Sequence, residues 1–436
     1  MAVVDVQRFR VGQMSLSDRT VAQSWWRIVP LLALALLFNY LDKVNIGFAA
    51  LTMNRDLGLT RGQFGAGAGF FAFGYALAAI PSTVMLHRLG ARRWLSYIMV
   101  AWAVCSAATA WVESVWQLLL VRFLLGAAEA GFTPGCLIYF SCWFPARYRG
   151  RILGSFLLVY PLVLLVGGPA ASGLLSIDGW LGLHGWQWLF IVEAIPSMAL
   201  AGVVYWLLPD APDKVSWLTA PQVEWLQAQL AAESSAVLKR PAFAQSRSPW
   251  RQRAVWTLAI ANIAISTAGV GLVIFLPLIL QSLGFSLAGA GWMVAVAGLA
   301  AGLCLPLWGA WSDRARQRKH VVAGACLLLS AGLLASALPV GGYWTVAALC
   351  AAMVGFNGCL VSFWTLPYSV VTGASAAVGI AMINVLGNLG TFTGPYALGW
   401  LSDQTQSFAT GLTCLGAVSA VAAVLLLAER FHYEPK

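Results

Sequence analysis

Charged residues are scarce in this chain of 436 residues, where they make up 10% of the sequence and hydrophobic residues make up 60%. Soluble domains carry about 25% charged residues, and the mean hydropathy of this chain is +0.78. So little charge excludes an ordinary water-soluble globular protein, because the folded chain would expose a large apolar surface to water. We therefore expect the solvent around most of the chain to be lipid.

Histidine clusters and paired cysteines are also missing, which excludes most metal and disulfide chemistry. The 4 histidines are scattered, and the 8 cysteines occur singly, without CxxC spacing. We interpret the cysteines as small buried apolar residues. No nucleophile motif or phosphate-binding loop is visible either. The sequence thus predicts no enzyme activity, no metal site and no bound cofactor.

Long apolar runs are abundant instead, and each approaches the roughly 20 residues that a helix needs to cross about 30 Å of hydrocarbon. By this criterion the chain has twelve spans, which divide six and six around one long polar stretch. The sequence therefore predicts an all-α membrane protein with twelve transmembrane helices in two six-helix halves. The approximate spans are 28–52, 62–86, 94–112, 116–141, 151–175, 186–208, 254–281, 287–311, 320–338, 343–371, 376–401 and 408–428.

The polar segments define the organisation of the rest of the chain. Within the central polar stretch, Thr219 is a candidate N-cap and Pro221 falls in the first turn of a short amphipathic helix. We expect this helix to lie on the membrane surface as a structural clip between the halves. The predicted segments are a cytoplasmic N-terminal segment at 1–27, a first half at 28–208, a cytoplasmic linker at 209–253, a second half at 254–428 and a cytoplasmic tail at 429–436.

The net charge of +10 does not indicate a nucleic-acid partner, because topology accounts for the placement of the basic residues. If the N-terminus lies inside, most Arg and Lys fall in inner segments, and the outer loops hold only Arg55 and Arg61. This asymmetry follows the positive-inside rule. We therefore expect a multi-pass membrane protein with both termini in the cytoplasm.

The two halves repeat one feature, a short basic loop between their second and third spans. The loop reads "LHRLGARR" at 86–93 in the first half and lies within "GAWSDRARQRK" at 309–319 in the second. Two six-helix halves with weak internal symmetry are typical of secondary transporters, whose substrate site lies near the midplane between them. The candidate gating residues in these loops are Arg88, Arg92, Arg93, Asp313 and Arg314.

A few ionisable residues fall well inside the predicted spans: Asp42, Lys43, Arg122, Glu129 and Glu193. On insertion scales each costs about 2.5–3.5 kcal/mol at the centre of a helix. The first four would together cost on the order of 10 kcal/mol if they were unpaired. We expect them to face the protein interior and to pair, either as a working network or as an ion-pair network that only stabilises the bundle. For Glu193 a structural hydrogen bond is the favoured interpretation.

Depth along the helices predicts which of these charges meet. Asp42 and Arg122 would lie roughly 12 and 9 Å below the outer surface, so they can reach one level and form a pair. Glu129 follows Arg122 by seven residues on the same helix face and lies deeper. The second half offers neutral groups that suit an anion with a hydroxylated or aromatic body. These groups are Asn262, Gln281, Asn357, Trp364, Tyr368, Asn384, Asn388 and Tyr396.

Seven motifs follow one another along the chain: "YLDKVNIGFA" (40–49), "FGYALAAIPS" (73–82), "GARRWL" (90–95), "RFLLGAAEAGFTPG" (122–135), "WFPARYRGR" (143–151), "GWQWLFIVEAIPS" (185–197) and "GNLGTFTGP" (387–395). In this order they resemble the anion:cation symporter family of the major facilitator superfamily. Within that family the chain is most similar to bacterial permeases for tartrate, phthalate, hydroxyphenylacetate and similar carboxylates. The resemblance covers nearly the whole chain and implies the major facilitator fold and proton-coupled import of an organic anion, by a monomeric protein of the bacterial inner membrane.

The resemblance also implies roles for single residues. Asp42 and Glu129 would be the proton-binding carboxylates, and Arg122 would pair with Asp42 during the cycle. The basic residue at position 43 would bind the substrate carboxylate. Tyr75 and Asn388 would line the substrate site.

Two residues depart from the pattern of the family. Lys43 stands where the family often has arginine, and an ammonium group cannot form the bidentate fork that a guanidinium offers a carboxylate. Tyr160 stands where some sugar-acid members carry an amide, which favours an aromatic acid as the substrate. The candidate substrate-binding residues are therefore Lys43, Arg122, Tyr75, Tyr160, Trp364 and Asn388.

The sequence therefore predicts symport of a small organic anion, an aromatic or hydroxy carboxylate, with protons as the coupling ion. Protonation of Asp42 and Glu129 would free positive charge for the incoming carboxylate, and the loaded site could then move between the halves. Proton-coupled efflux of an organic acid uses the same architecture and stays an alternative. A non-transporting membrane sensor is a further alternative, although it would normally need a sizeable soluble output domain.

Overall fold

The computed structural model describes residues 15–238, 249–315, 317–367, 376–429 and 431. Parts of the predicted N-terminal segment, linker and tail lie outside the described residues, and so does Tyr368. The described residues fold into helices at the predicted spans, but the first helix begins at Leu16, inside the predicted N-terminal segment 1–27, and the helix of the tenth span ends at Phe363, before the predicted 371. The two halves of six spans each are thus present, and the fold is the all-α, twelve-helix arrangement that the sequence predicts.

The first half contains the helices α1 to α8. Its six predicted spans correspond to four single helices, α1, α2, α3 and α8, and to two pairs, α4 with α5 and α6 with α7. The bounds are α1 Leu16–Asp56, α2 Arg61–Leu89, α3 Ala91–Thr109, α4 Val115–Glu129, α5 Phe132–Trp143, α6 Ala146–Leu157, α7 Val159–Leu175 and α8 Gly185–Leu207.

The linker helix and the second half follow. Within the described residues, 10 helices or helix pairs are by length and composition suited to crossing a membrane, and α3 and α14 occupy the other two predicted spans. The bounds are α9 Ala220–Leu238, α10 Arg253–Ser282, α11 Leu287–Arg314, α12 Arg318–Ser336, α13 Gly342–Phe363, α14 Ala376–Thr405 and α15 Phe408–Ala428.

Polar caps start the second helix of each half. At α2, Thr60 Oγ1 accepts from the backbone N–H of Gln63 at 3.1 Å, and Gln63 Oε1 accepts from the N–H of Thr60 at 3.0 Å. At α11, Ser286 Oγ accepts from the N–H of Gly289 at 3.1 Å. Such caps satisfy amide groups that have no partner within the helix.

Two predicted spans are interrupted near their middle, which the apolar patterning alone does not show. The helix α4 ends at Glu129, and α7 begins just before Tyr160. In both places a proline follows: Pro134 cannot donate to the carbonyl of Ala130, and the proline at 161 cannot donate to that of Leu157. The interruptions therefore fall at two of the candidate site residues.

The linker forms the predicted helix, α9, and this helix packs against the first half. Arg149 Nη2 lies 2.8 Å from Glu233 Oε2, and Gln222 Nε2 donates to Gln23 Oε1 at 3.0 Å. Leu226 of α9 is fully buried. The linker is thus attached to one half by polar and apolar contacts together.

The two halves touch mainly at one end of the bundle. We call the end that holds the loops 86–93 and 309–319 the basic end, and the other the opposite end. At the opposite end Ser172 Oγ donates to the carbonyl of Leu287 at 3.0 Å. Further in, the rings of Phe73 and Phe392 lie 4.7 Å apart, about 18 Å along α2 from its first residue. The described contacts between the halves thus extend from the opposite end to the middle of the bundle.

Candidate functional site

Three helices of the first half bring candidate residues to one level near the middle of the bundle. Lys43 on α1, Tyr75 on α2 and Glu129 on α4 each lie about 20 Å along their helix from its end at the opposite end of the bundle. They share this level with the contact between Phe73 and Phe392. The site therefore begins where the contacts between the halves stop.

Lys43 and Glu129 form a buried ion pair at this level. Lys43 Nζ lies 3.2 Å from Glu129 Oε2, and the two side chains are 19% and 0% exposed. Asn39 joins the pair, because its Nδ2 donates to Glu129 Oε2 at 3.0 Å and its Oδ1 accepts from Lys43 Nζ at 2.8 Å. The ammonium is thus held by one carboxylate and one amide and keeps a small exposed surface.

Aromatic rings surround the remaining side of the ammonium. Lys43 Nζ lies 4.4 Å from the ring centre of Tyr40 and 5.5 Å from that of Tyr75. Tyr40 donates its hydroxyl hydrogen to the hydroxyl of Tyr160 at 2.8 Å, with the two rings edge to face. Cation–π attraction of this kind stabilises an ammonium where water is sparse. The structure thus gathers Tyr75 and Tyr160 around Lys43.

Asp42 and Arg122 do not form the ion pair that we predicted from their depth. Ser106 Oγ donates to Asp42 Oδ1 at 2.6 Å, and the guanidinium of Arg122 lies 5.2 Å from the ring centre of Phe71. Within the described residues, Asp42 Oδ2 and Arg122 Nε and Nη1 are buried without a hydrogen-bond partner. The pair that forms is Lys43 with Glu129, because adjacent residues of a helix point about 100° apart.

The second half presents a polar and aromatic stripe to this site. Asn384, Asn388, Phe392 and Tyr396 recur every four residues and share one face of α14. Phe392 stacks on Tyr396 at 5.7 Å and contacts Phe73 of the first half. Asn388 lies one turn from Phe392, with its Nδ2 donating to the carbonyl of Asn384 at 3.3 Å. The face of α14 that carries Asn388 is therefore turned to the first half.

Trp364 and Asn262 are not joined to the charged pair by a described contact. The ring of Trp364 packs on Phe363 at 5.5 Å. Asn262 is buried and its Nδ2 donates to the carbonyl of Ile383 at 3.1 Å. Both residues thus interact inside their own half in this conformation.

The candidate gating residues lie at the basic end and make their described contacts within one half. Arg92 Nη2 lies 3.3 Å from Asp210 Oδ2. The other four, Arg88, Arg93, Asp313 and Arg314, are exposed. In this conformation the two basic loops are therefore not joined across the halves by an ion pair that the structure describes.

Asn39, Tyr40 and Ser106 are site residues to which the sequence reasoning gave no role. Asn39 precedes Lys43 by one helical turn, so the two side chains share a face. The sequence signal for Asn39 was an asparagine inside an apolar run, one helical turn before Lys43. The hydroxyl of Ser106 had no such signal, because serine is common in membrane helices.

Comparison with known proteins finds relatives along nearly the whole chain. The family model of the Major Facilitator Superfamily matches residues 32–395. A protein of Agrobacterium vitis named "Putative tartrate transporter" is 39% identical over 412 residues, covering 94% of this chain and 91% of that protein. An Acinetobacter baumannii protein named "Quinolone resistance transporter" is 36% identical over 416 residues, covering 92% of each chain.

Solved structures share the fold at lower sequence identity. The inward open conformation of the xylose transporter XylE from E. coli has a TM-score of 0.75 at 15% identity, covering 93% of this chain and 96% of that one. The D-xylose-proton symporter has a TM-score of 0.74 at 16% identity, covering 92% and 97%. The chain therefore belongs to the Major Facilitator Superfamily and is a multi-pass membrane transporter of a small molecule, not an enzyme.

Proposed function

We propose that this transporter imports a small organic anion together with protons across the bacterial inner membrane, with both chain termini in the cytoplasm. The observation that carries the proposal is the ion pair of Lys43 and Glu129, 3.2 Å apart and buried at mid-membrane level. A substrate carboxylate and Glu129 are rivals for the same ammonium. Competition for one cation is the simplest way to link anion binding to the protonation of an acid.

The coupling follows from the cost of separating a buried pair. If a substrate carboxylate displaced an ionised Glu129 from Lys43, a buried charge would be left uncompensated, at a cost of about 3–5 kcal/mol. A proton on Glu129 removes that cost, because the acid is then neutral and the ammonium is free to bind the anion. Substrate and proton thus enter the site together, and because their charges cancel, the loaded site has the same net charge as the empty one when the halves move.

The surroundings of Lys43 support an aromatic or hydroxy carboxylate as the substrate. The rings of Tyr40 and Tyr75 face the ammonium, and the hydroxyls of Tyr40 and Tyr160 form a polar contact beside it. An aromatic body can stack among these rings, and a hydroxyl can bond to the tyrosines or to Asn388. The relative named for tartrate supports a carboxylate.

The contacts between the halves support an inward-open state in this proposal. They lie at the opposite end and reach inward to Phe73 and Phe392. If the basic end faces the cytoplasm, as the positive-inside rule predicts, the outer entrance is closed in this state. Import then requires the halves to separate at the opposite end and to meet at the basic end.

Proteoliposomes with an imposed pH gradient test the proposal. We expect labelled 4-hydroxybenzoate or tartrate to accumulate when the outside is acidic, and the accumulation to collapse with a protonophore. A true substrate at 100 times its Kd should also stabilise the purified protein by about 2.7 kcal/mol in thermal unfolding. Uptake that follows the substrate gradient but ignores the pH gradient would contradict proton coupling.

Proton-coupled efflux is the second candidate, because one relative carries the name of a drug-resistance transporter. The same site would bind the substrate in import and in efflux, so the geometry of the site does not distinguish the two directions of transport. The decisive measurement is flux from preloaded vesicles under a pH gradient of either sign. Efflux predicts that substrate leaves as protons enter, whereas import predicts that substrate and protons move in the same direction.

A further inference from the structure

Glu193 is a buried acid that the site described above does not use. It lies on α8, 8% exposed, about 12 Å along the helix from its start at the opposite end. Its Oε2 has no hydrogen-bond partner within the described residues. The helix α8 packs against α1, where the side chain of Glu193 lies beside Asn45 and near Asp42.

Other unpartnered polar atoms gather around Glu193. Within the described part of the chain, Asp42 Oδ2, both side-chain polar atoms of Asn45, and Ser197 Oγ are buried without a hydrogen-bond partner. Asn45 lies one turn after Asp42, and Ser197 lies one turn after Glu193, so each pair shares a helix face. Ser106 of α3 binds the other oxygen of Asp42 at 2.6 Å. These five residues form one polar group, which we call the inner acid cluster.

The inner acid cluster lies within the first half and not between the halves. Its members come from α1, α3 and α8, and α3 and α8 pack against each other and against helices of their own half. The helix α1 thus presents two charged residues in two directions. Lys43 points to Glu129 on α4, and Asp42 points to Ser106 on α3.

Water is the ligand that fits these unpartnered atoms. Buried polar groups in folded proteins almost always have a hydrogen-bond partner, from the protein or from ordered water. Internal waters typically make about three hydrogen bonds to groups that would otherwise be unsatisfied. Carboxylate, amide and hydroxyl atoms that lack partners at one place offer the acceptors and donors that such a water needs.

The charges of the first half leave one acid in excess. Among the described residues, the buried acids Asp42, Glu129 and Glu193 are accompanied by the buried Arg122 and by Lys43, whose side chain is 19% exposed. Lys43 is engaged by Glu129, so of these two bases Arg122 is left for the other two acids. Two like charges at one buried site are strongly disfavoured, and a shared proton removes one of them.

No other described group near the cluster supplies the missing positive charge. On α3 the titratable neighbour of Asp42 is Cys105, whose thiol is neutral or negative. On α7, which also packs on α8, the titratable residue is Tyr160, and its hydroxyl is bonded to Tyr40. Glu129 on α4 would add further negative charge. A proton is therefore the positive charge that fits.

We propose that Asp42 and Glu193 form a hydrated acid pair that holds one shared proton behind the substrate site. Water bonded to Asn45, Ser106 and Ser197 would link the two carboxyl groups. The proton held there is separate from the one that competes with Lys43 for Glu129. The pair rests on the proposed function for its role in transport, but its existence can be measured without any substrate.

Infrared spectroscopy of the reconstituted full-length protein measures the pair directly. We expect a carbonyl band of a protonated carboxylic acid that titrates with pH and is lost in Glu193→Gln. In Asp42→Asn, the midpoint of the remaining Glu193 band should move by about one pH unit or more, because interacting acids titrate as a pair. The exposed acid variant Glu113→Gln is the matched control and should leave the band unchanged. A band whose midpoint does not move in Asp42→Asn would overturn the proposal.

Transport gives the second readout. Glu193→Gln should reduce pH-driven uptake at least tenfold and leave exchange of labelled for unlabelled substrate within about twofold of wild type. Glu193→Asp, which restores the acid, should recover most of the driven uptake. Wild-type pH-driven uptake by Glu193→Gln, or equal loss of both activities with no recovery in Glu193→Asp, would overturn the role in transport.

The two readouts separate this inference from the proposed function. If the wild type shows no pH-driven uptake but the band midpoint moves in Asp42→Asn, proton-coupled import is wrong and the acid pair stands. If uptake is driven by pH and the midpoint does not move, the acid pair is wrong and import stands. If Glu193→Gln does not reach the membrane, the midpoint of the carbonyl band is compared between Glu193→Asp and the double variant that also carries Asp42→Asn.

Discussion

The carboxylate of Asp403 in the second half binds the backbone amide of Gly62 in the first half at 2.7 Å. Its other oxygen accepts from the amide of Arg61 at 3.0 Å. Both amides belong to the first turn of α2, where N–H groups lack a partner in the helix and favour negative charge. A Cβ at Gly62 would come 3.0 Å from the same carboxylate. Asp403 thus joins the two halves at the opposite end.

The first prediction concerns the contact between Asp403 and the first turn of α2. Asp403→Ala removes two hydrogen bonds to a charged acceptor and should favour separation of the halves at the opposite end by about 2 kcal/mol, which is roughly a 30-fold change in the ratio of the two states. Spin labels at the exposed positions Arg55 and Gln404 should report a larger population of long distances. The variant should therefore spend more time open at the end that we predict to face outside.

A matched control is available at the same end of the bundle. Asp178 accepts from the amide of Gly185 at 2.9 Å within the first half. Asp178→Ala removes a carboxylate from a helix N-terminus in the same way but leaves the contact between the halves intact. Equal distance distributions for Asp403→Ala and Asp178→Ala would show that the bond to α2 does not hold the halves together.

Much of the fold could be predicted from the sequence, because the bilayer imposes one length on every spanning helix. The twelve spans, the linker helix and the two halves follow from apolar runs and from the placement of charge. The partners of the buried charges did not follow, since depth along a helix says nothing about the direction of a side chain. Asp42 and Lys43 are neighbours in the chain, and the structure turns one to α3 and the other to α4.

The second prediction concerns the charge at position 43. Lys43→Arg keeps the positive charge beside Glu129 and should retain much of the uptake. Lys43→Met keeps the length of the side chain and removes the charge, so the affinity for the anion should fall by at least tenfold. Affinity is measured by thermal shift and by the concentration dependence of exchange. If the Met variant binds the anion as tightly as wild type, Lys43 does not bind the substrate carboxylate.

The third prediction concerns Arg122, which is 1% exposed and whose guanidinium has two unpartnered nitrogens within the described residues. Among the described residues, it is the buried cation left for Asp42 and Glu193 when Lys43 is bound to Glu129. Arg122→Ala should abolish uptake, and Arg122→Lys, which keeps the charge, should retain part of it. Folding of each variant is checked by thermal unfolding in detergent.

Arg55 supplies the control for Arg122, because its side chain is 81% exposed. Arg55→Ala removes the same charge at the surface and should transport as wild type does. Uptake by Arg122→Ala at the rate of Arg55→Ala would show that the buried arginine has no part in the mechanism.

The last prediction concerns coupling, and it depends on Glu129. Its Oε2 accepts from Asn39 and binds Lys43, and its side chain is fully buried. Glu129→Gln keeps the shape of the side chain and resembles the protonated acid, so Lys43 stays free for the anion. The variant should therefore still bind substrate and still exchange labelled for unlabelled substrate across the vesicle membrane.

Net accumulation should fail in the same variant, because an amide takes up and releases no proton in each cycle. With only a pH difference as the driving force, Glu129→Gln should accumulate substrate at least tenfold less than wild type, and the exposed Glu113→Gln should match wild type. A purely structural Glu129 predicts that exchange and driven uptake fall together. Both activities are measured in one preparation, so unequal protein content does not affect their ratio. Normal pH-driven accumulation by Glu129→Gln would refute Glu129 as the proton carrier.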